Sequence, residues 1–245
     1  MFKASVPITT QLETAVGPLP GWTPLDELLA LFNLACGSAA VGGDIVEIGS
    51  WCGRSATALA MAAKLTGGSR VHCVDLFPSR DDWHENSDGT YSLRITTSEG
   101  VVDAFRRHTL WREPYERDVA PFYQEHHSPL DVLQASLERN GLSDLVSVHR
   151  GTSAMFARTA PGNFRCRLAF IDGDHDFDAV RQDIGTIESF LVPGGWICLD
   201  DAFTCYDGVD RAIREMIIAS PKYDVSQQLT RKLFVARRTR TVVTT

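Results

Sequence analysis

After residue 20 the chain alternates two kinds of segment, and this constrains its fold more than any other feature. Short apolar runs at 44–48 (DIVEI), 70–76 (RVHCVDL), 146–149, 167–171 (RLAFI) and 196–199 (WICL) read as strands. Segments with apolar residues at helical spacing lie between or beside them, at 25–36, 55–65, 130–140, 177–191 and 209–219. Thr23 precedes Pro24 as a possible N-cap of the first. Gly67-Gly68, Gly141, Pro193-Gly194-Gly195 and Pro221 stop the later ones. Tyr223–Gln228 and 232–236 read as a closing antiparallel pair. Strands separated by helices of this length imply right-handed crossovers and an α/β fold. Its sheet is mostly parallel, with helices on both faces. In such sheets ligands bind beyond the carboxyl ends of the strands, where the strand order reverses.

The remaining chain properties narrow the function. The 245 residues carry a formal net charge of −7, with 44% hydrophobic and 22% charged residues. This composition suits a soluble globular protein with a proper core and excludes a disordered chain. No stretch approaches the roughly 20 apolar residues of a membrane span. MFKASVPITT lacks the basic-then-apolar pattern of a signal peptide. The acidity argues against nucleic acid and acidic membrane surfaces as partners, and the basic run Arg237-Arg238-Thr239-Arg240 is too short to reverse it. The six cysteines form no CxxC pair and read as free thiols in a reducing cytoplasm.

Residues 77–128 break the rhythm. They hold 10 Asp/Glu against 6 Arg, and 8 of the chain's 22 aromatic residues. A long aromatic-rich insertion at the ligand edge suggests a lid or acceptor pocket; packing on the domain or an oligomer contact is the other reading.

Three motifs carry chemistry. Glu47-Ile48-Gly49-Ser50-Trp51-Cys52-Gly53 sits at a strand-to-helix turn, where glycines admit a ligand close to the backbone and a helix N-terminus offers free N–H groups. Asp75 ends the next strand, where a carboxylate can take both hydroxyls of a ribose. Asp172-Gly173-Asp174-His175-Asp176 and Asp200-Asp201 close two further strands. The first lacks the glycine and glutamate that an EF-hand needs, with Phe177 and Asp183 in those places. Crowded acids repel, so a hard divalent cation such as Mg²⁺ is a natural partner for Asp172, Asp200 and Asp201.

At VEIGSWCGRSA, VDLF, HRGTSAMF, FIDGDHDFDAV and LVPGGWICLDD the chain resembles the class I S-adenosylmethionine-dependent methyltransferases. It is most similar to the metal-dependent small-molecule O-methyltransferases of macrolide-sugar and antibiotic type, and more distantly to catechol O-methyltransferase. The resemblance runs from Asp44 to Ala236. It implies a doubly wound, mostly parallel seven-stranded sheet ending in an antiparallel pair, the Rossmann-like methyltransferase fold. One domain would span 1–245, with a helical segment at 1–40 and the lid insertion at 77–128. Trp51 stands where the family's common pattern has its middle glycine.

The resemblance also implies residue roles. Glu47, Gly49, Ser50 and Gly53 would line the methionine end of S-adenosylmethionine. Asp75 would hold its ribose, Leu76 its adenine, and Thr152 and Ser153 the adenine edge. Asp172, Asp200 and Asp201 would bind the metal, with Asp172 also touching the cofactor. His175 would be the general base, which suits an imidazole near physiological pH. The acceptor would be a small molecule bearing a sugar hydroxyl, a vicinal diol or a catechol, and the enzyme could be a homo-oligomer. An NAD-dependent oxidoreductase would need the absent GxGxxG, and a non-catalytic cofactor-binding module would leave the histidine and acids without a purpose.

Overall fold

A computed structural model describes residues 6–106 and 110–240. Its elements are α1 (Ile8–Val16), α2 (Leu25–Gly37), β1 (Asp44–Ile48), α3 (Arg54–Leu65), β2 (Val71–Asp75), β3 (Trp83–Glu85), β4 (Tyr91–Thr97), β5 (Gly100–Ala104), α4 (Arg112–Pro114), α5 (Phe122–Glu125), α6 (Pro129–Arg139), β6 (Val146–Arg150), α7 (Ser153–Thr159), β7 (Cys166–Ile171), α8 (Phe177–Phe190), β8 (Leu191–Leu199), α9 (Asp207–Ala212), β9 (Tyr223–Gln228) and β10 (Phe234–Arg238). The expected N-terminal segment 1–40 thus holds two helices, with its first five residues outside the described set.

Seven strands form one sheet in the order β6-β2-β1-β7-β8-β10-β9. The pairs from β6 to β8 are parallel; β10 is antiparallel to both neighbours. The chain builds outward from β1 to β6, then returns to β7 and builds the other way. The strand order therefore reverses between β1 and β7, and their carboxyl ends, Ile48 and Ile171, lie in register.

Period-2 alternation divides the core. Ile45, Leu168 and Phe170 face a cluster with Leu12, Leu28, Leu31, Leu59 and Leu133 from α1, α2, α3 and α6. Val46, Ala169 and Ile171 face one with Val180, Ile184 and Val209 from α8 and α9. All six residues of β7 are buried, as a strand covered on both faces requires.

Several local expectations change. Thr23 does not cap α2: Pro24 occupies that position without a side-chain bond, and the Thr23 carbonyl accepts from Arg54 Nε at 2.8 Å. Pro193-Gly194-Gly195 does not sit in a loop. Strand β8 starts at Leu191 and runs through it, with a register shift against β7 between Cys166 and Leu168 absorbing the irregularity. The helix expected over 209–219 is α9 continued by a π-helical turn over Ile213–Ile218. Helix α7 carries only a short apolar signal; Thr152 starts it by accepting from Met155 N–H at 3.3 Å. The insertion is structured. β3, β4 and β5 make a separate antiparallel sheet, followed by α4, a π-helical turn over Tyr115–Val119, and α5. Its residues 107–109 lie outside the described set.

Candidate active site at the carboxyl edge of the sheet

The loop after β1 is built by close approach. Gly49 has φ +87°, and a Cβ there would lie 1.9 Å from the Asp172 carbonyl oxygen. Only glycine lets the β1 and β7 loops touch at the point where the strand order reverses. Gly53 starts α3 at φ +82°, where a Cβ would press on Leu133 at 2.7 Å. Trp51, at the family's glycine position, adopts φ +45°. Its N–H donates to Asp75 Oδ2 at 2.8 Å, and its ring packs on Phe122 at 5.2 Å and Trp22 at 6.0 Å. These contacts hold a bulky residue in a region that costs about 1–3 kcal/mol. The other left-handed non-glycine residues among the described ones are Phe77, Phe105, Asp201 and Phe203. Phe77 follows β2, Asp201 and Phe203 follow β8, and Phe105 ends the insertion sheet, so the strain gathers around one edge.

Glu47 is fully buried, with the side chains of Ser50, Ser55 and Cys73 beside its carboxylate and, among the described residues, no cation paired with it. Burial pushes its carboxyl up to about 7, against the Ser50, Ser55 and Cys73 side chains that pull it down. Ser50 is also buried, with its hydroxyl beside Glu47 and Cys73. Asp75 accepts from the backbone N–H groups of Trp51 and Phe77. Burial raises its carboxyl, and those N–H groups pull it back. The residues expected around the adenine also make contacts within the fold. Leu76 packs with the insertion cluster of Leu93, Ile95 and Ala104. The Thr152 hydroxyl caps α7, and buried Ser153 donates to Asp183 Oδ1 at 2.5 Å.

The acids divide into two groups. Asp172, His175 and Asp201 bring ligand atoms within 4.8 Å of one another. His175 Nε2 lies 3.1 Å from Asp201 Oδ2; its ring stacks on Tyr206 at 3.9 Å and meets the edge of Phe105 at 5.9 Å. Burial works to raise the Asp201 carboxyl, but the His175 hydrogen bond and the Lys232 charge outweigh it and hold it below the usual range. Burial and the Asp200 charge push Asp172 well above it. Asp200 is absent from this group. It is buried, with Oδ2 2.6 Å from Lys232 Nζ, and it faces the fully buried Glu27 of α2. Burial and the Asp200 charge raise Glu27 to about 9. Asp172, Asp200 and Asp201 therefore do not fit a three-acid metal site.

The insertion reaches this edge. Phe105 N–H donates to Asp174 Oδ2 at 3.0 Å. Trp83 stacks on Phe105 at 6.2 Å and donates to the Tyr123 hydroxyl at 3.2 Å. A cavity of about 360 Å³ opens between the insertion and the loop after β1, lined by Trp22, Trp51, Phe122, Arg117 and Asp118 among others.

Comparison with known proteins gives the family and the fold. Residues 46–202 match the family model described as a methyltransferase domain. The chain belongs to the methyltransferase family. The fold of this methyltransferase is that of solved O-methyltransferases. TomG from Streptomyces achromogenes, solved in complex with SAM, is 15% identical with a TM-score of 0.56, covering 98% of this chain and 92% of that one. The O-methyltransferase from Bacillus cereus, solved with SAH, is 16% identical with a TM-score of 0.57, covering 96% and 92%. The O-methyltransferase NovP is 15% identical with a TM-score of 0.61, covering 90% and 84%.

Three residues of this methyltransferase's site escaped the sequence reading. Glu27 was legible in part, for it lies one helical turn before Leu31 on the apolar stripe of α2, where a carboxylate has no reason to be. Phe105 was legible only as one of the eight aromatics of the insertion, and Lys232 gave no signal, because it reaches the site from a distant element. Among the described residues no helix is long and apolar enough to cross a membrane.

Proposed function

We propose that this methyltransferase transfers a methyl group from S-adenosylmethionine to a hydroxyl oxygen of a small acceptor. The observation that carries the reading is the Asp201-held imidazole of His175, beside the loop that Gly49 presses against Asp172. Bound S-adenosylmethionine supplies a sulfonium methyl group that an oxygen nucleophile takes in line, leaving the neutral thioether. Glu47 fits that cofactor, because its buried carboxylate has only neutral side chains beside it and lacks the cation that the amino group of a methionine moiety would bring. Asp75 keeps lone pairs for ribose hydroxyls beyond those its two N–H partners use. His175 takes the acceptor's hydroxyl proton on the ring nitrogen that Asp201 leaves free. Asp201 fixes the tautomer and stabilises the imidazolium. The remaining work is alignment of the acceptor oxygen behind the methyl group.

The insertion, which reaches His175 through Phe105, is the wall we assign to a small planar or sugar-like acceptor. A divalent ion would have to draw on Asp172, His175 and Asp201 without Asp200. Nucleic acid and membranes are not partners in this reading. Arg237 pairs with Asp224, and Arg238 donates to the carbonyls of Glu188 and Leu191, so the basic run is engaged within the fold. The free thiols suit the cytoplasm. A homo-oligomer remains compatible with these surfaces. A screen of hydroxylated acceptors with radiolabelled S-adenosylmethionine tests the reading. Label should move to oxygen with the wild type and drop sharply with His175→Ala; label on nitrogen or carbon acceptors alone would contradict it.

A further inference from the structure

The sheet topology delivers an ammonium to the acid cluster. β10 runs antiparallel to β8, so residues before β10 lie beside those after β8. Ala202 N–H donates to the Lys232 carbonyl at 2.9 Å, which fixes the Lys232 backbone there. Its side chain points inward and the residue is 8% exposed. Nζ lies 2.6 Å from Asp200 Oδ2 and 3.5 Å from Asp201 Oδ1. Asp201 thus stands between two partners, with one oxygen toward Lys232 and the other toward His175.

Burying a lysine is costly unless paired acids compensate it, and here the acids surround it. A dication sharing Asp200 and Asp201 would meet this ammonium at close range, in a setting where like charges repel strongly. Asp200 can serve the lysine or a metal, and the structure gives it to the lysine. We propose that Lys232 supplies, from within the fold, the positive charge that a divalent cation would otherwise bring to this cluster, and that it positions His175 through Asp201. This rests on the methyltransferase reading and deepens it. The acceptor is then held and deprotonated without a metal bridging two of its oxygens, so a single hydroxyl suffices and a vicinal diol is not required.

Electron paramagnetic resonance with Mn²⁺ tests the assignment directly. The wild type should show no stoichiometric Mn²⁺ site and should turn over undiminished in EDTA. Lys232→Met should gain one Mn²⁺ site, lose kcat in metal-free buffer with little change in the KM for S-adenosylmethionine, and recover part of the rate when metal is added. Lys232→Arg should keep the wild-type behaviour. A stoichiometric Mn²⁺ site in the wild type, or loss of its turnover in EDTA, overturns the proposal. So does a folded Lys232→Met variant that gains no site. The wild-type measurement decides alone if that variant does not fold. S-adenosylhomocysteine binding, measured on the same sample, tests the methyltransferase reading separately. A wild type that binds both that ligand and Mn²⁺ loses only the lysine assignment.

Discussion

His175 and Glu47 are two titratable groups with opposite tasks. His175 needs an acid beside it that stays ionised, and the lowered Asp201 carboxyl supplies one. If His175 removes the acceptor proton, His175→Ala lowers kcat by about 10²–10⁴. Affinity for S-adenosylhomocysteine should not move, because the imidazole does not hold the cofactor; steady-state kinetics and calorimetry separate the two. Glu47 behaves differently. Its carboxyl is raised to about 7, so it is largely neutral in the empty protein below that pH. A bound ammonium favours the ionised form. S-adenosylhomocysteine affinity should therefore rise as pH climbs through about 7 and then level off. Glu47→Gln should flatten that dependence. The same shift lowers stability between the ordinary carboxylate range and about 7, since the unfolded chain releases its proton first. Adjacent acids show where reading from sequence stops at this scale. Asp200 and Asp201 looked interchangeable, yet the chain leaves β8 through a left-handed Asp201, so that Asp200 is buried against Lys232 while Asp201 reaches both Lys232 and His175.

At the scale of elements, the site depends on loops held in place by packed strands and helices. Gly49→Ala forces a Cβ into the Asp172 carbonyl in a left-handed conformation. It should destabilise by about 1–3 kcal/mol or more and abolish S-adenosylhomocysteine binding, as thermal melts and calorimetry would show. Leu31, fully buried on α2, serves packing only. Leu31→Ala should cost about 2–5 kcal/mol in urea unfolding while the folded fraction keeps its ligand affinity. The strands were readable because buried parallel strands are short, apolar and bounded by turn residues. β1 and β9 fall at the expected residues. Helix α7 was not, since its seven residues owe their start to a Thr152 cap rather than to an apolar stripe. The π-helical turn after α9 shares its composition with an ordinary helix, so composition could not distinguish it.

The whole molecule places its chemistry where the strand order reverses, between β1 and β7, and the insertion closes over that edge through Phe105 and Asp174. The sheet was legible because strand and helix periodicities differ. The insertion was not, because its small antiparallel sheet depends on contacts with the parent fold, such as Leu76 on Leu93 and Ile95. The site was half legible. Motifs in one stretch of chain marked Glu47, Asp75, Asp172 and His175, but partners brought by folding, Glu27 and Lys232, left little trace. The central claim is that this edge binds S-adenosylmethionine for methyl transfer. Calorimetric titration with S-adenosylhomocysteine, and in parallel with NAD, tests it most directly. One saturable site for S-adenosylhomocysteine and none for NAD is the expected result; NAD binding without S-adenosylhomocysteine binding would overturn the methyltransferase reading of this edge.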